Sequence, residues 1–517
     1  MTSRRIDPAR IAPSNRLFLD LVSGDPAALG LFERAPEAFQ EAAEARGVAA
    51  RARHDLRDML RAYLAPLGGS RRSLDNVDAI GEPGTLCVIT GQQAGFLGGP
   101  AYTAYKILTT VRLARRLERD LGTRVVPVFW LASEDHDFTE INRVQWIGDG
   151  GELERVSFDW DGRGRSIEAL PITEAVSVAY DEVAGRLLAS HPEGAGLFAP
   201  DGAADYASWH ARIWARWFAD EGLVVVEPRA IRPLAAGFLS EACERAGEVR
   251  AAIRSGADAV RAAGYVPVLD EAVVGMPFVL GPSGRRTRVP PDGSVALEAG
   301  ETVSADAALR PILADSLFPT VASVLGPGEI AYHAMLGPLY AAFGVSQPVF
   351  VPRHGYTLLS PGEAEIFDRL GIAIDSAVDP SFDPTQALDA AVSPEVRDAF
   401  VAARTGLRES LADLRSTVGA LDPSLEARWR QAVDRAEREI AKLQERAFRT
   451  DLGRRGISTR ALRATLSSLH PGGRPQERVL SAAHFVARFG VQWLHQLPGE
   501  DALGRFSHYA VTLHEQH

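Results

Sequence analysis

Between residues 86 and 132 the chain reads as a short apolar run, "LCVIT" (86–90), an amphipathic stretch over 101–120 and a second apolar run, "RVVPVFWLA" (124–132). Short runs rich in β-branched and aromatic residues predict buried strands, and apolar positions recurring every three to four residues predict a helix. The segment is therefore a βαβ unit with parallel strands. The same alternation continues through a helix over 204–220, the strand "LVVVEP" (223–228), helices to about 263, a helix near 305–316 and the strand "QPVFVPR" (347–353). "LERVSFDW" (153–160) predicts a strand in a small insertion. "GYVPVLDE" (264–271) and "PFVLGPSGRRTRV" (277–289) predict short strands, the second a hairpin turned at "GPSG". Upstream, residues 35–65 predict a helix ended by Pro66. Strands alternating with helices over such a length predict an α/β fold with an open, mostly parallel sheet.

The pattern changes near residue 380. Leu407, Leu411, Leu414, Val418 and Leu421 follow heptad spacing, and beyond a turn at Asp422 and Pro423 it nearly repeats in Leu425, Trp429, Ala432, Ala436, Ile440 and Leu443. Two facing helices make an antiparallel coiled-coil arm. The predicted organisation is a Rossmann-like catalytic core with small inserted elements over 1–380, an α-helical arm over 381–455, and a segment over 456–517 that packs back on the core.

Composition narrows the partners. Hydrophobic residues at 46% and charged residues at 24% are those of an ordinary globular protein, and a net charge of −11 argues against a general nucleic-acid binder. No stretch reaches the roughly 18 apolar residues of a membrane span, so the expected compartment is the cytoplasm. Cys87 and Cys243 are too few for a disulfide framework and form no C-x-x-C pair.

In a parallel sheet, ligands sit beyond the C-terminal ends of the strands. After the first strand comes the glycine-rich "TGQQAGFLGGPAYTAYK" (90–106), which offers Thr90, Gly91, Gln92, Gln93, Gly98, Gly99, Tyr102 and Lys106. It matches neither the phosphate-loop nor the dinucleotide glycine pattern, so the ligand stays open at this point. After the second strand comes "SEDHDFTEIN" (133–142), with Glu134, Asp135, His136, Asp137, Glu140 and Asn142. Carboxylates crowded around one imidazole suit general acid–base or amine-binding work, with a magnesium or manganese site and a solvated acidic loop as the other readings. "GPGEIAYHAMLGP" (326–338) supplies Gly328, Glu329 and Tyr332, where the glutamate also reads as an ordinary helix cap. Arg310 and Arg353 suit bidentate binding of a carboxylate or phosphate.

With "TGQQAGFLGGPAYTAYK", "PVFWLASEDHDFTEIN", "LRPILADSLFPTVASVLGPGEIAYHAMLGPLYAAFGV", "PVFVPR" and "HPGGRPQER" in order along the chain, the sequence resembles the bacillithiol biosynthesis cysteine-adding enzymes. The resemblance implies a core like the nucleotide-binding fold of class I aminoacyl-tRNA synthetases and a homodimer joined through the coiled-coil arm. It also implies a ligase that joins L-cysteine to glucosaminyl-malate. Residues 265–272 and 354–356 depart from the usual family pattern. Amide formation requires an activated carboxylate, so ATP with Mg2+ is the expected co-substrate and no tightly bound metal is expected. His136, flanked by Asp135 and Asp137, is the expected general base. Two other classes remain: a nucleotide-binding scaffold dimerised by its arm, and a metal-dependent hydrolase built on the acidic loop.

Overall fold

The computed structural model describes residues 2–11, 15–45, 50–379, 381–499 and 506–515. Five strands form the central sheet: β1 (Leu86–Gln92), β2 (Val125–Leu131), β3 (Val224–Val226), β4 (Thr320–Leu325) and β5 (Val349–Pro352). Their spatial order is β5-β4-β1-β2-β3, and every neighbouring pair is parallel. The chain runs outward from β1 to β3 on one side, then returns to β4 and β5 on the other. This is the Rossmann order, and its crevice opens where the direction reverses, beyond the C-terminal ends of β1 and β4.

All seven residues of β2 are buried, as expected of a central strand rich in valine and aromatics. Pro127 is tolerated there because pairing with β3 begins only at Val128. Helix α1 (Tyr102–Leu121) joins β1 to β2 and buries Ala104, Ile107, Leu108 and Val111. Helices α2 (Leu309–Leu317) and α3 (Pro327–His333) flank β4. Of the helix expected over 35–65, residues 46–49 lie outside the described residues, and helices Phe39–Glu44 and Ala50–Leu64 stand on either side.

The hairpin turned at "GPSG" is present, Phe278–Leu280 pairing antiparallel with Arg286–Arg288, and Thr302–Ser304 adds a third strand. The strand expected at 264–271 is not. Pro267 removes a ladder donor, and Val266 and Val268 are 81% and 55% exposed, so no sheet face covers them. The strand His508–Thr512 pairs with Gly355–Leu359 in parallel and with Thr2–Ile6 antiparallel, which brings both ends of the described chain onto one small sheet. The position expected as the core boundary, 380, and residues 500–505 and 516–517 of the closing segment lie outside the described residues.

Helices α4 (Pro394–Leu421) and α5 (Glu426–Arg454) form the arm. The Trp429 indole N–H donates to Leu411 O at 3.0 Å, and Arg415–Glu426 and Arg408–Glu437 bridge the helices. The contact stripe drifts from strict heptads: Val433 is half-buried where the heptad names Ala432, which is exposed. Leu414, Leu421 and Leu443 stand 49%, 78% and 60% exposed.

Candidate active site

A cleft of about 410 Å³ lies at the crevice between β1 and β4. The end of β1 and the residue after it, Thr90 to Gln93, form one wall, and the segment from Gly326 through α3 forms the other. Arg310 of α2, Asp135 after β2, and Arg353 after β5 complete it, with Glu140 and Arg478 also on its lining. Of the residues singled out in the sequence, Thr90, Gly91, Gln92, Gln93, Tyr102, Lys106, Asp135, Arg310, Gly328, Glu329, Tyr332 and Arg353 meet here.

Several of these are committed to neighbours. Thr90 donates its hydroxyl to Val324 O at 2.8 Å, tying β1 to β4. The buried Lys106 ammonium donates to Gly91 O (2.7 Å) and Gln92 Oε1 (3.0 Å) and pairs with Glu329 Oε2 (2.5 Å). An ammonium has three N–H donors, so these partners saturate it, and Lys106 shapes the floor of the cleft without a free donor. Burial lowers its pKa, while Glu329 opposes that shift. Glu329 also accepts from the Gly326 N–H at 2.7 Å, the cap that the sequence allowed. The Tyr102 hydroxyl accepts from Gln92 Nε2 at 3.1 Å.

Arg353 is buried and donates to Glu477 at 3.0 and 2.5 Å, with its guanidinium 5.5 Å from the centre of the Tyr102 ring. Glu477 and Arg478 reach this wall from "HPGGRPQER", a segment matched as a motif but given no site role in the sequence reading. The partner of Arg353 is 124 residues away, and nothing in local spacing connects them. Arg310 lies beside Tyr332 on the cleft lining and in the field of Asp135. His333, stacked on Tyr332, has its pKa pushed down to about 4 by burial.

The residues of 134–142 diverge. Asp135 turns into the cleft, accepting from Gln93 Nε2 (2.8 Å) and from the His136 N–H (2.7 Å). Burial pulls its pKa upward, but these bonds and Arg310 outweigh it and hold the carboxylate ionised. Glu134 turns away to Arg232 at 2.7 Å, which also holds Glu168, and burial pushes Glu134 up to about 7. Asp137 is exposed and accepts from the Thr139 hydroxyl. Asn142 donates to Phe158 O at 3.1 Å. His136 lies off the cleft, on a second chamber of about 190 Å³, with Nδ1 3.2 Å from Arg286. Among the described residues no group of three or more His, Cys, Asp and Glu is placed to hold a metal ion, so the hydrolase reading finds no support in this loop.

Gly98 and Gly99 lie behind the cleft wall. Both have positive φ (87° and 64°), and the loop folds on itself so tightly that a Cβ on Gly99 would come within 3.1 Å of Gly95 Cα. A Cβ on Gly98 would meet Ala482 and Trp214 at 3.3–3.4 Å. Their φ values favour glycine, and protein atoms fill the space expected for a ligand.

Comparison with known proteins gives the family. The N-terminal Rossmann-like domain of bacillithiol biosynthesis BshC matches residues 1–289 and 294–354, and the C-terminal coiled-coil domain of the same proteins matches 357–513. The chain belongs to the bacillithiol biosynthesis BshC family. A relative from Symbiobacterium thermophilum is 32% identical over 495 residues, covering 88% of this chain and 89% of the relative. One from Geobacillus thermodenitrificans is 30% identical (89% and 90%), and one from Solibacter usitatus is 30% identical (80% and 82%). Each bears the name "Putative cysteine ligase BshC". The sheet and the paired α4 and α5 are the two parts that the BshC domain descriptions name. Among the described residues no helix is long and apolar enough to cross a membrane.

Proposed function

We propose that this chain is a ligase that joins the carboxyl group of L-cysteine to the sugar amine of glucosaminyl-malate. The observation that carries the reading is the cleft at the Rossmann crevice of a BshC-family chain, where Asp135 lies in the field of Arg310. Guanidinium groups suit the carboxylates of both substrates, and an ionised aspartate suits an amine. ATP with Mg2+ is the proposed co-substrate, supplying the leaving group that turns a carboxylate into an acyl donor. Arg478 fits its anionic oxygens better than Lys106, whose donors are taken, or Arg353, which is neutralised by Glu477.

Mass spectrometry after incubation with cysteine and glucosaminyl-malate tests the reading. The condensed thiol is expected with ATP and Mg2+ and not without ATP. Product in the absence of ATP removes the co-substrate; no product in any mixture removes the reaction.

The same reading makes the protein a homodimer through its arm, since Leu414, Leu421 and Leu443 are left exposed on α4 and α5. Replacing Leu414 and Leu443 together by Glu is expected to give a folded monomer in light scattering. A persisting dimer places the interface elsewhere.

A further inference from the structure

The second chamber, of about 190 Å³, is less than half the size of the cleft and shares Asp135 and Arg310 with it. It is below the range of pockets for drug-sized ligands and matches a ligand no larger than one small amino acid. Its walls are of two kinds. Val274, Phe278 and Leu313 are apolar; Glu134, Asp135, Asp306, Arg286, Arg288 and Arg310 are charged.

Arg286 is built into this wall. Its side chain is 5% exposed and its guanidinium lies 4.0 Å from the centre of the Phe278 ring. It donates to Ser304 Oγ (3.2 Å), Ala305 O (3.0 Å) and His136 Nδ1 (3.2 Å). Those three bonds fix the guanidinium and leave part of its five-donor fork for another acceptor.

The geometry points to this chamber as the subsite for the small amino thiol acid, with the larger cleft left for the glycoside and the nucleotide. The inference rests on the ligase reading above. A carboxylate at Arg310 stands at the junction of the two spaces, where it meets an amine arriving through the cleft. The ammonium then lies among the chamber's carboxylates, Glu134, Asp135 and Asp306, so that it does not claim Asp135 alone, and the CH2–SH group lies against Val274, Phe278 and Leu313, where sulfur finds an aromatic neighbour. A glycoside bearing a malyl group is too large for the chamber, so the two substrates sort by size as well as charge.

Val274 is the position to alter, because it lines only the chamber and belongs to none of the charged walls. Initial rates are measured in the wild type and in Val274→Phe, varying cysteine and glucosaminyl-malate separately. The KM for cysteine is expected to rise about tenfold or more in Val274→Phe, while that for the glycoside stays within about twofold. A second variant, Val274→Ala, guards against misfolding of the first. It is expected to raise kcat/KM for homocysteine relative to cysteine by about tenfold, the scale on which an apolar pocket senses one methylene. Unchanged cysteine kinetics in both variants, or a rise in the glycoside KM instead, overturns the subsite while the ligase reading stands. A wild type that neither binds cysteine in calorimetry nor forms the condensed product overturns both.

Discussion

Glu477→Gln is expected to cost about 3–5 kcal/mol of folding free energy, because it leaves the Arg353 guanidinium buried without its counter-charge. The two side chains are 3% and 4% exposed, so water cannot replace the lost carboxylate. The pair joins β5 to the segment after the arm, and Glu477 also accepts from the Tyr356 N–H at 3.3 Å. Chemical denaturation followed by circular dichroism reads the loss. Replacing both partners, Glu477→Gln with Arg353→Met, is expected to be less damaging than Glu477→Gln alone, since the orphaned charge goes with its partner. Equal losses in the single and double variants remove the ion pair as the cause.

The pH dependence has a definite sign. Burial alone raises the pKa of Glu477, but the charge and hydrogen bonds of Arg353 more than offset it and leave the group below its ordinary 4.5. A carboxylate with a lowered folded pKa contributes stability that is full above its unfolded pKa and lost as pH falls through the folded value. The wild type is therefore expected to lose this contribution only below about pH 4.5. In Glu477→Gln that part of the acid-side loss is absent.

Why some of this was legible in sequence and some was not follows from the range of each interaction. The strand runs, the βαβ order and the loops after β1 and β2 depend on local periodicity and on the rule that parallel sheets bind beyond their C-terminal ends. That logic brings Gln93 and Asp135 together across two strand ends, and the structure joins them at 2.8 Å. It does not reach pairs set by tertiary packing. Lys106 looks from sequence like a free cation near a helix start, and only the fold shows Gly91, Gln92 and Glu329 taking all its donors. Gly98 and Gly99 carry the composition of a ligand loop, yet Trp214 and Ala482 stand against Gly98 and Gly95 against Gly99. Nor does adjacency in "EDHD" predict direction: Glu134, Asp135 and His136 all line the chamber, yet Asp135 alone reaches the cleft and bonds Gln93, while Glu134 turns to Arg232 and His136 to Arg286. Burial is the largest cause of the raised pKa of Glu134, and the like charge that adds to it is Glu168, from outside the loop.

The largest kinetic effect is expected at Asp135. Its carboxylate is the acidic group common to the cleft and the chamber, so it stands where the sugar amine and the activated carboxyl group are proposed to meet. Amide formation releases a proton from the attacking nitrogen. Asp135 is held ionised by Gln93, the His136 N–H and two arginines, and is placed to orient the amine and stabilise its charge as that proton leaves. Asp135→Asn keeps the shape and removes the charge, and is expected to lower kcat by about 10²–10³-fold, the scale of one positioned electrostatic group. His136, half-exposed and hydrogen-bonded to Arg286 on the far side of that carboxylate, is expected to matter less. Because Asp135 stays ionised, the acid limb of the rate profile then belongs to protonation of the substrate amine. Asp135→Asn is accordingly expected to lower the whole profile without moving that limb. If instead His136→Ala loses more activity than Asp135→Asn, the imidazole is the base and the carboxylate only its support.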